Sequence, residues 1–402
     1  MSNFRIGIDG NEANVDNRVG SNVYAFELMK QIEEQTRNNA DFIFTIFLTN
    51  KPVQGMPEER TGWTYHWIKP KAFATQWGLP LALFKMRKEL DLFFTPGHYA
   101  PRLCPIPYVS CVMDLGFLHF PRQFKLKDYW QLKLWTKYSV QKAKRIVAIS
   151  EYTKQDLQKQ YKIQPEKISV IYPAMNAQIS HRENQNMRQT VFHKFKIDAP
   201  YILYVGTLQP RKNIVQLVEA FEHLKLKYQS EVKQLTTSGK RKKRKNQRIN
   251  HPLRDLKLVI AGKTGWLAEP ILNRIKKSVC KSDIILTGYV DEEEKTILYT
   301  HALCSILIGI HEGFGMPALE SLLFHVVPVV SETTSLPEVV GEAGVLVNPY
   351  NSIHVMKGID KALNLNQKER KEFEKRADNQ LKKFTWELSA KKLLDIFTTL
   401  NK

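Results

Sequence analysis

Short apolar runs alternate along the chain with longer stretches whose apolar positions recur every three or four residues. Runs at 4–9, 42–48, 63–68, 91–94, 107–113, 145–150 and 167–172 predict buried parallel strands. Helical periodicity falls between them, at 22–34, 79–90, 125–142 and from Glu151, where Ser150 is placed to cap the helix. The 125–142 stretch is rich in Trp and Tyr and is expected to turn them toward the core. Residues 176–199 are polar, lack a clear period and read as a linker. A second series follows: strands at 201–205, 256–261, 284–286, 304–308, 326–330 and 344–347, with helices from 213 to about 226, from Asp291, and at 317–324, 352–365 and 367–382. Residues 386–400 form a last amphipathic helix. Strands alternating with helices in both halves predict an α/β chain of two doubly wound, Rossmann-like domains, 1–175 and 200–385, facing across a cleft.

Three strand-to-helix connections carry candidate chemistry. In His311-Glu312-Gly313-Phe314-Gly315-Met316-Pro317-Ala318-Leu319-Glu320, an apolar run leads into a glycine turn and then a helix start with Pro317 in its first turn. Backbone N–H groups at a helix start favour an anion such as phosphate. Gly313 and Gly315 allow close approach of a ligand, and Glu312 and Glu320 suit sugar or ribose hydroxyls. In Gly206-Thr207-Leu-Gln-Pro-Arg211-Lys212-Asn213, glycine after a strand and two cations at the next helix start form a second anion site. Cations in a first helical turn oppose the helix dipole and are costly unless an anion binds. The loop after the first strand brings Gly20 and Ser21 to a third helix start. Ala261-Gly-Lys-Thr264 imitates the end of a phosphate-binding loop, but Lys257 stands where that motif needs glycine.

The Glu312-to-Glu320 spacing, with Gly-Phe-Gly-Met-Pro between them and Pro328-Val-Val-Ser331 and Ser335-Leu-Pro-Glu-Val339 after them, resembles retaining glycosyltransferases of the GT-B fold, family 4. The similarity extends over almost the whole chain, is most specific in the second half, and is closest in flavour to bacterial mannosyltransferases. It implies a nucleoside-diphosphate sugar, GDP-mannose in first place, as co-substrate. It implies a glycan or lipid-linked acceptor on the first domain, and a 386–400 helix that crosses back onto that domain. By the same resemblance Glu312 contacts the transferred sugar. Gly313, Phe314, Gly315, Met316 and Pro317 hold sugar and phosphate, Glu320 binds the ribose, and Tyr289 lies in the turn against the base. Gly206, Thr207, Arg211 and Lys212 become a diphosphate clamp, Gly20 and Ser21 join the donor site, and Asp114 stands with Glu312, Arg211 and Lys212 as catalytic. Relatives usually carry His where this chain has Met113, so His98 and His119 are the candidates to replace that imidazole. A GT-B epimerase and a non-catalytic sugar-nucleotide sensor are the alternatives.

The chain is long enough for two cores, and its net charge of +20 implies affinity for polyanions. The strongest positive run, within 238–250, reads as a basic insertion suited to peripheral contact with an anionic membrane. It lacks interleaved aromatics, which argues against a specific nucleic-acid partner. No run approaches the length of a membrane span, the first strand begins almost at Met1, and Cys104, Cys111, Cys280 and Cys304 lie in or beside apolar runs. Together these predict a cytoplasmic enzyme, peripheral on the inner membrane face. No D-x-D occurs, so no essential metal is expected.

Overall fold

The computed structural model describes residues 3–18, 20–69, 74–97, 99–175, 185–237 and 253–401, with the backbone alone at 232–237. His98 and the 238–250 run lie outside these residues. The chain divides into two compact units, Met1–Asn176 with Lys383–Lys402, and Ala177–Lys382.

The first unit is built on β1 (Phe4–Asp9), β2 (Phe42–Leu48), β3 (Trp63–Trp67), β4 (Leu92–Thr95), β5 (Tyr108–Val112), β6 (Arg145–Ala148) and β7 (Ile168–Val170). They form one parallel sheet in the order β3-β2-β1-β4-β5-β6-β7. Successive side chains of a strand point to opposite faces. Phe93 therefore enters the core shared with Leu79, Leu83, Val140 and Leu157, while Phe94 packs edge-on against Phe397 on the other face. On that other face Trp386–Leu400 lies along Ser21–Thr36, with Trp386 against Tyr24 and Ser389 Oγ donating to the Tyr172 carbonyl at 2.7 Å.

The second unit repeats the plan with β8 (Tyr201–Val205), β9 (Lys257–Ala261), β10 (Ile284–Gly288), β11 (Ser305–Leu307), β12 (Pro328–Ser331) and β13 (Val345–Val347), ordered β10-β9-β8-β11-β12-β13 and parallel. In both sheets the strand order reverses beside the first strand of the series, between β1 and β4 and between β8 and β11. Such a reversal leaves a crevice at the carboxyl ends of the strands. The connections after β8 and β11 both open there.

Three expectations change. Residues 185–195 are a helix, Gln185–Phe195, whose Val191 is buried in the second unit's core, so this part of the expected linker is folded structure. The helix after β8 runs on to Thr237, well past residue 226. The Trp- and Tyr-rich helix, Leu126–Lys142, fully buries only Thr136, Ser139 and Val140; of its aromatics Tyr129 packs half-buried against the core and Trp130 is exposed. Ser139 Oγ accepts from the Ala100 N–H and pairs with Ser110 Oγ, both at 2.9 Å. Small polar residues let the helix seat closely on the sheet, and Leu126, Trp130 and Leu134 are left exposed.

Candidate functional site

The turn after β11 is shaped by residues that hold its carbonyls. Ser331 Oγ donates to the Gly309 carbonyl at 2.7 Å, and Ser335 Oγ donates to those of Glu312 at 2.9 Å and Phe314 at 2.7 Å. Gly315 caps the helix Met316–Leu323 at φ 110°, where a Cβ would also meet Leu336 at 2.4 Å, so this position demands glycine. Pro317 fills the first turn, as expected. Gly309, a position the sequence did not single out, leaves room for the Glu312 carboxylate, which a Cβ there would approach to 2.6 Å.

The connection after β8 meets this turn directly. Arg211 and Lys212 do not occupy the first turn of the following helix. They sit in a separate 3₁₀ turn, Pro210–Lys212, broken from the helix by Asn213 in the left-handed region at φ 60°. They still stand immediately ahead of the helix start, where the dipole disfavours cations, and for Lys212 the offsetting charge is a carboxylate of the protein itself. Asn213 Nδ2 donates to the Pro349 carbonyl at 2.7 Å, and the Ile310 N–H donates to the Arg211 carbonyl at 2.9 Å. The two loops are thus pinned together. Lys212 Nζ then reaches both Glu312 oxygens, at 2.7 and 2.8 Å, with side chains only 14% and 6% exposed. A largely buried ion pair of this kind places an ammonium and a carboxylate side by side at the mouth of the crevice. Arg211 lies alongside, its guanidinium 3.4 Å from the His311 carbonyl.

Glu320 belongs to a second network. It is 7% exposed, and its two oxygens accept from Lys295 Nζ at 2.8 Å and Tyr299 Oη at 2.9 Å. Burial acts to lower the Lys295 pKa, but Glu320 and Glu292 outweigh it, and the ammonium titrates above its usual range. Burial, reinforced by Glu320, pushes the Tyr299 phenol far up. Lys295 and Tyr299 therefore act as fixed donors that orient the carboxylate. Both carboxylate oxygens keep lone pairs for hydroxyl donors. The sequence reading missed this pair; their positions four residues apart on Glu292–Thr300 give one face of a helix but do not reveal its partner.

Gly262 and Gly265 were also missed. Gly262 has φ 153°, and a Cβ there would stand 2.0 Å from the Gly206 carbonyl oxygen. The Gly265 N–H donates to the Leu208 carbonyl at 3.1 Å. The Gly-Lys-Thr stretch, rejected as a phosphate-binding loop, thus buttresses the Gly206–Thr207 turn by backbone contact. Tyr289 is 57% exposed after β10, with Lys263 Nζ 4.4 Å from its ring centre.

The remaining candidates lie in the first unit. Gly20 caps the first helix at φ 54°, and Ser21 Oγ and Asn22 Nδ2 both donate to Glu12, which the sequence reading passed over. Asp114 accepts from the Gly116 N–H at 2.8 Å, and Met113 is buried beside it. His119 Nε2 pairs with buried Asp156 at 2.7 Å. That hydrogen bond raises the His119 pKa against the opposing effect of burial. A raised imidazole pKa makes the pair's stabilisation complete below about 6.5, the unperturbed value, and loses it as pH rises through the folded value. In Asp156→Asn the His119 titration followed by NMR should fall toward or below the unperturbed value. An unchanged titration would separate the shift from Asp156.

Two family models match: Glycosyl transferases group 1 over residues 187–380 and Glycosyltransferase Family 4 over residues 20–178. The chain belongs to the GT-B glycosyltransferases of the family 4 type. Its curated relatives include the O-antigen chain mannosyltransferase B of Escherichia coli, 26% identical over 226 residues, which are 55% of this chain and 53% of that protein. The chain thus spans about half, or less, of the length of the first curated relatives it matches. Among solved structures, a glycosyltransferase from Rickettsia africae superposes with a TM-score of 0.70 at 16% identity, over 100% of both chains. Anabaena HepE in complex with UDP and glucose gives 0.67 at 12% identity, over 98% of this chain and 100% of that one. At these identities the structures speak for the fold.

Proposed function

We propose that this protein is a retaining hexosyltransferase that moves a sugar, mannose from GDP-mannose in first place, onto a glycan or lipid-linked acceptor. The observation that carries the reading is the Lys212–Glu312 pair beside Arg211 at the β8/β11 crevice. The arriving diphosphate competes for Lys212 and Arg211, and so frees the Glu312 carboxylate to face the sugar. As the anomeric carbon–oxygen bond breaks, negative charge grows on the departing diphosphate, and the two fixed cations stabilise it. The acceptor oxygen bonds to the anomeric carbon from the same face, and its proton passes to the leaving phosphate oxygen. Glu320, fixed by Lys295 and Tyr299, holds the ribose. Relatives named as mannosyltransferases support mannose as the sugar, and HepE in complex with UDP and glucose supports a nucleotide-sugar donor. The basic 238–250 run supplies a salt-sensitive, peripheral contact with an anionic membrane; among the described residues no helix is long and apolar enough to cross one.

Thermal denaturation with a panel of nucleotide sugars tests the donor assignment, because a ligand bound only by the folded state raises the melting temperature. GDP-mannose should give the largest rise. The rise and the subsequent turnover should survive EDTA, since Arg211 and Lys212 take the part of a metal. A metal requirement for donor breakdown would contradict that part, and no response to any nucleotide sugar would contradict the whole reading.

A further inference from the structure

Of nine exposed large apolar side chains in the first unit, among the described residues, seven fall between Trp77 and Leu134. They are ordered. Trp77, Leu81 and Phe84 recur at helical spacing through Ala74–Gly78 and Leu79–Lys85, and are 65%, 49% and 54% exposed. Leu126, Trp130 and Leu134 recur every fourth residue on Leu126–Lys142, and are 79%, 50% and 56% exposed. Each stripe lies opposite a buried face of its own helix, and both buried faces enter the same core on one face of the first sheet. The two stripes therefore look outward from a single layer.

The loop between them adds a seventh residue. Leu103 is held in the left-handed region at φ 61° with its side chain 81% exposed. That backbone is unfavourable for leucine, and nothing within the fold gains from the exposed side chain. The loop is fastened to the second stripe's helix: Tyr99 packs edge-on to Trp135 at 5.1 Å, and Arg102 stands over Tyr138 at 5.7 Å.

Cations are interspersed with these apolar residues along the chain, and Arg87 and Lys133 stand over the rings of Phe84 and Trp130, at 4.1 and 4.9 Å. Residues 77–137 hold nine Lys and Arg against four Asp and Glu. Asp91 is paired with Arg5 and Asp114 is turned to the Gly116 N–H, which leaves Glu89 and Asp128 as the exposed acids. Lys85, Arg87, Lys88, Arg102, Lys127 and Lys137 are exposed. Exposed tryptophan and leucine interspersed with long basic side chains match the boundary between acyl chains and anionic headgroups, where apolar groups sink and ammonium groups stay at the surface. A second copy of this face would bring the same excess of positive charge against itself.

We infer that this outer face of the first unit is the membrane-docking surface of the protein, seated on an anionic bilayer by Leu103, Trp130, Leu134 and the Trp77–Phe84 stripe. It supplies apolar insertion, distinct from the screened attraction assigned to 238–250. The inference rests on the first unit alone and stands apart from the donor chemistry of the second.

Vesicle flotation of the full chain tests it, with phosphatidylcholine vesicles with and without phosphatidylglycerol, at low and high salt. The parent should float only with phosphatidylglycerol and retain part of its binding at high salt. Trp130→Glu combined with Leu134→Glu should lose that salt-resistant part by about tenfold or more, the scale of withdrawing two large apolar side chains. Deletion of 238–250 should remove mainly the salt-sensitive part. An unfolding transition as cooperative and as high as the parent's, without ligand, shows that the double variant is folded. Equal flotation of parent and double variant at high salt overturns the inference. So does complete loss on deleting 238–250 alone, or a parent dimer that the double variant splits while vesicle binding is absent. A chain that floats as described but responds to no nucleotide sugar overturns the donor reading and leaves this surface standing.

Discussion

Lys212→Ala should lower kcat/KM by ~2–4 kcal/mol, roughly thirtyfold to a thousandfold, the range for losing one electrostatic stabiliser of a transition state. Two consequences of the geometry combine in that number. The departing diphosphate loses an ammonium, and Glu312, buried and bonded to Lys212 through both oxygens, loses its counter-charge. The second effect costs stability too, because a buried carboxylate left unpaired is expensive. Lys212→Ala should therefore melt earlier than the parent without donor. Lys212→Arg keeps the charge but not the compact ammonium geometry, and should recover stability more fully than turnover. Steady-state kinetics beside calorimetry would separate the two, and an unchanged kcat/KM in Lys212→Ala would remove the clamp from the mechanism.

Lys295→Met should destabilise the second unit by about 3 kcal/mol, the cost of stranding one member of a buried pair. Glu320 would keep only Tyr299 as a side-chain donor of the two it has now. Adding Glu320→Gln should return much of that loss, since a neutral amide needs no counter-charge. The double variant should then fold well yet bind nucleotide weakly, because an amide in place of the carboxylate can accept through only one oxygen. Urea unfolding of the single and double variants forms a cycle whose coupling energy measures the pair. Additive losses would mean that Lys295 holds something other than Glu320.

The strands were legible because parallel sheets bury both faces and write themselves as apolar runs, as at Tyr201–Val205 and Pro328–Ser331. The Glu312 turn was legible because strand, glycine and Pro317 fall within a few residues of one another. The Leu126–Lys142 helix was legible only in part: Tyr129 does pack against the core, but Trp130 turns outward, and the burial of Ser139 depends on Ser110 and Ala100, which are distant in sequence. Lys212 and Glu312 are a hundred residues apart, and only the neighbouring of β8 and β11 brings them into contact. Gly262 was set aside with a failed motif, although the fold needs it for the close backbone approach to Gly206.

The proposed glycosyl transfer with retention from a nucleotide sugar can be measured without knowing the acceptor. The full chain at high concentration, given the nucleotide sugar that stabilises it most, should slowly pass the sugar to water. Proton NMR within the first minutes, before the free sugar mutarotates, reads the configuration of the first-formed product. From an α-linked donor such as GDP-mannose, the α anomer should appear first, with nucleoside diphosphate released in equal amount. The β anomer first, or no breakdown of any nucleotide sugar that binds, would contradict it.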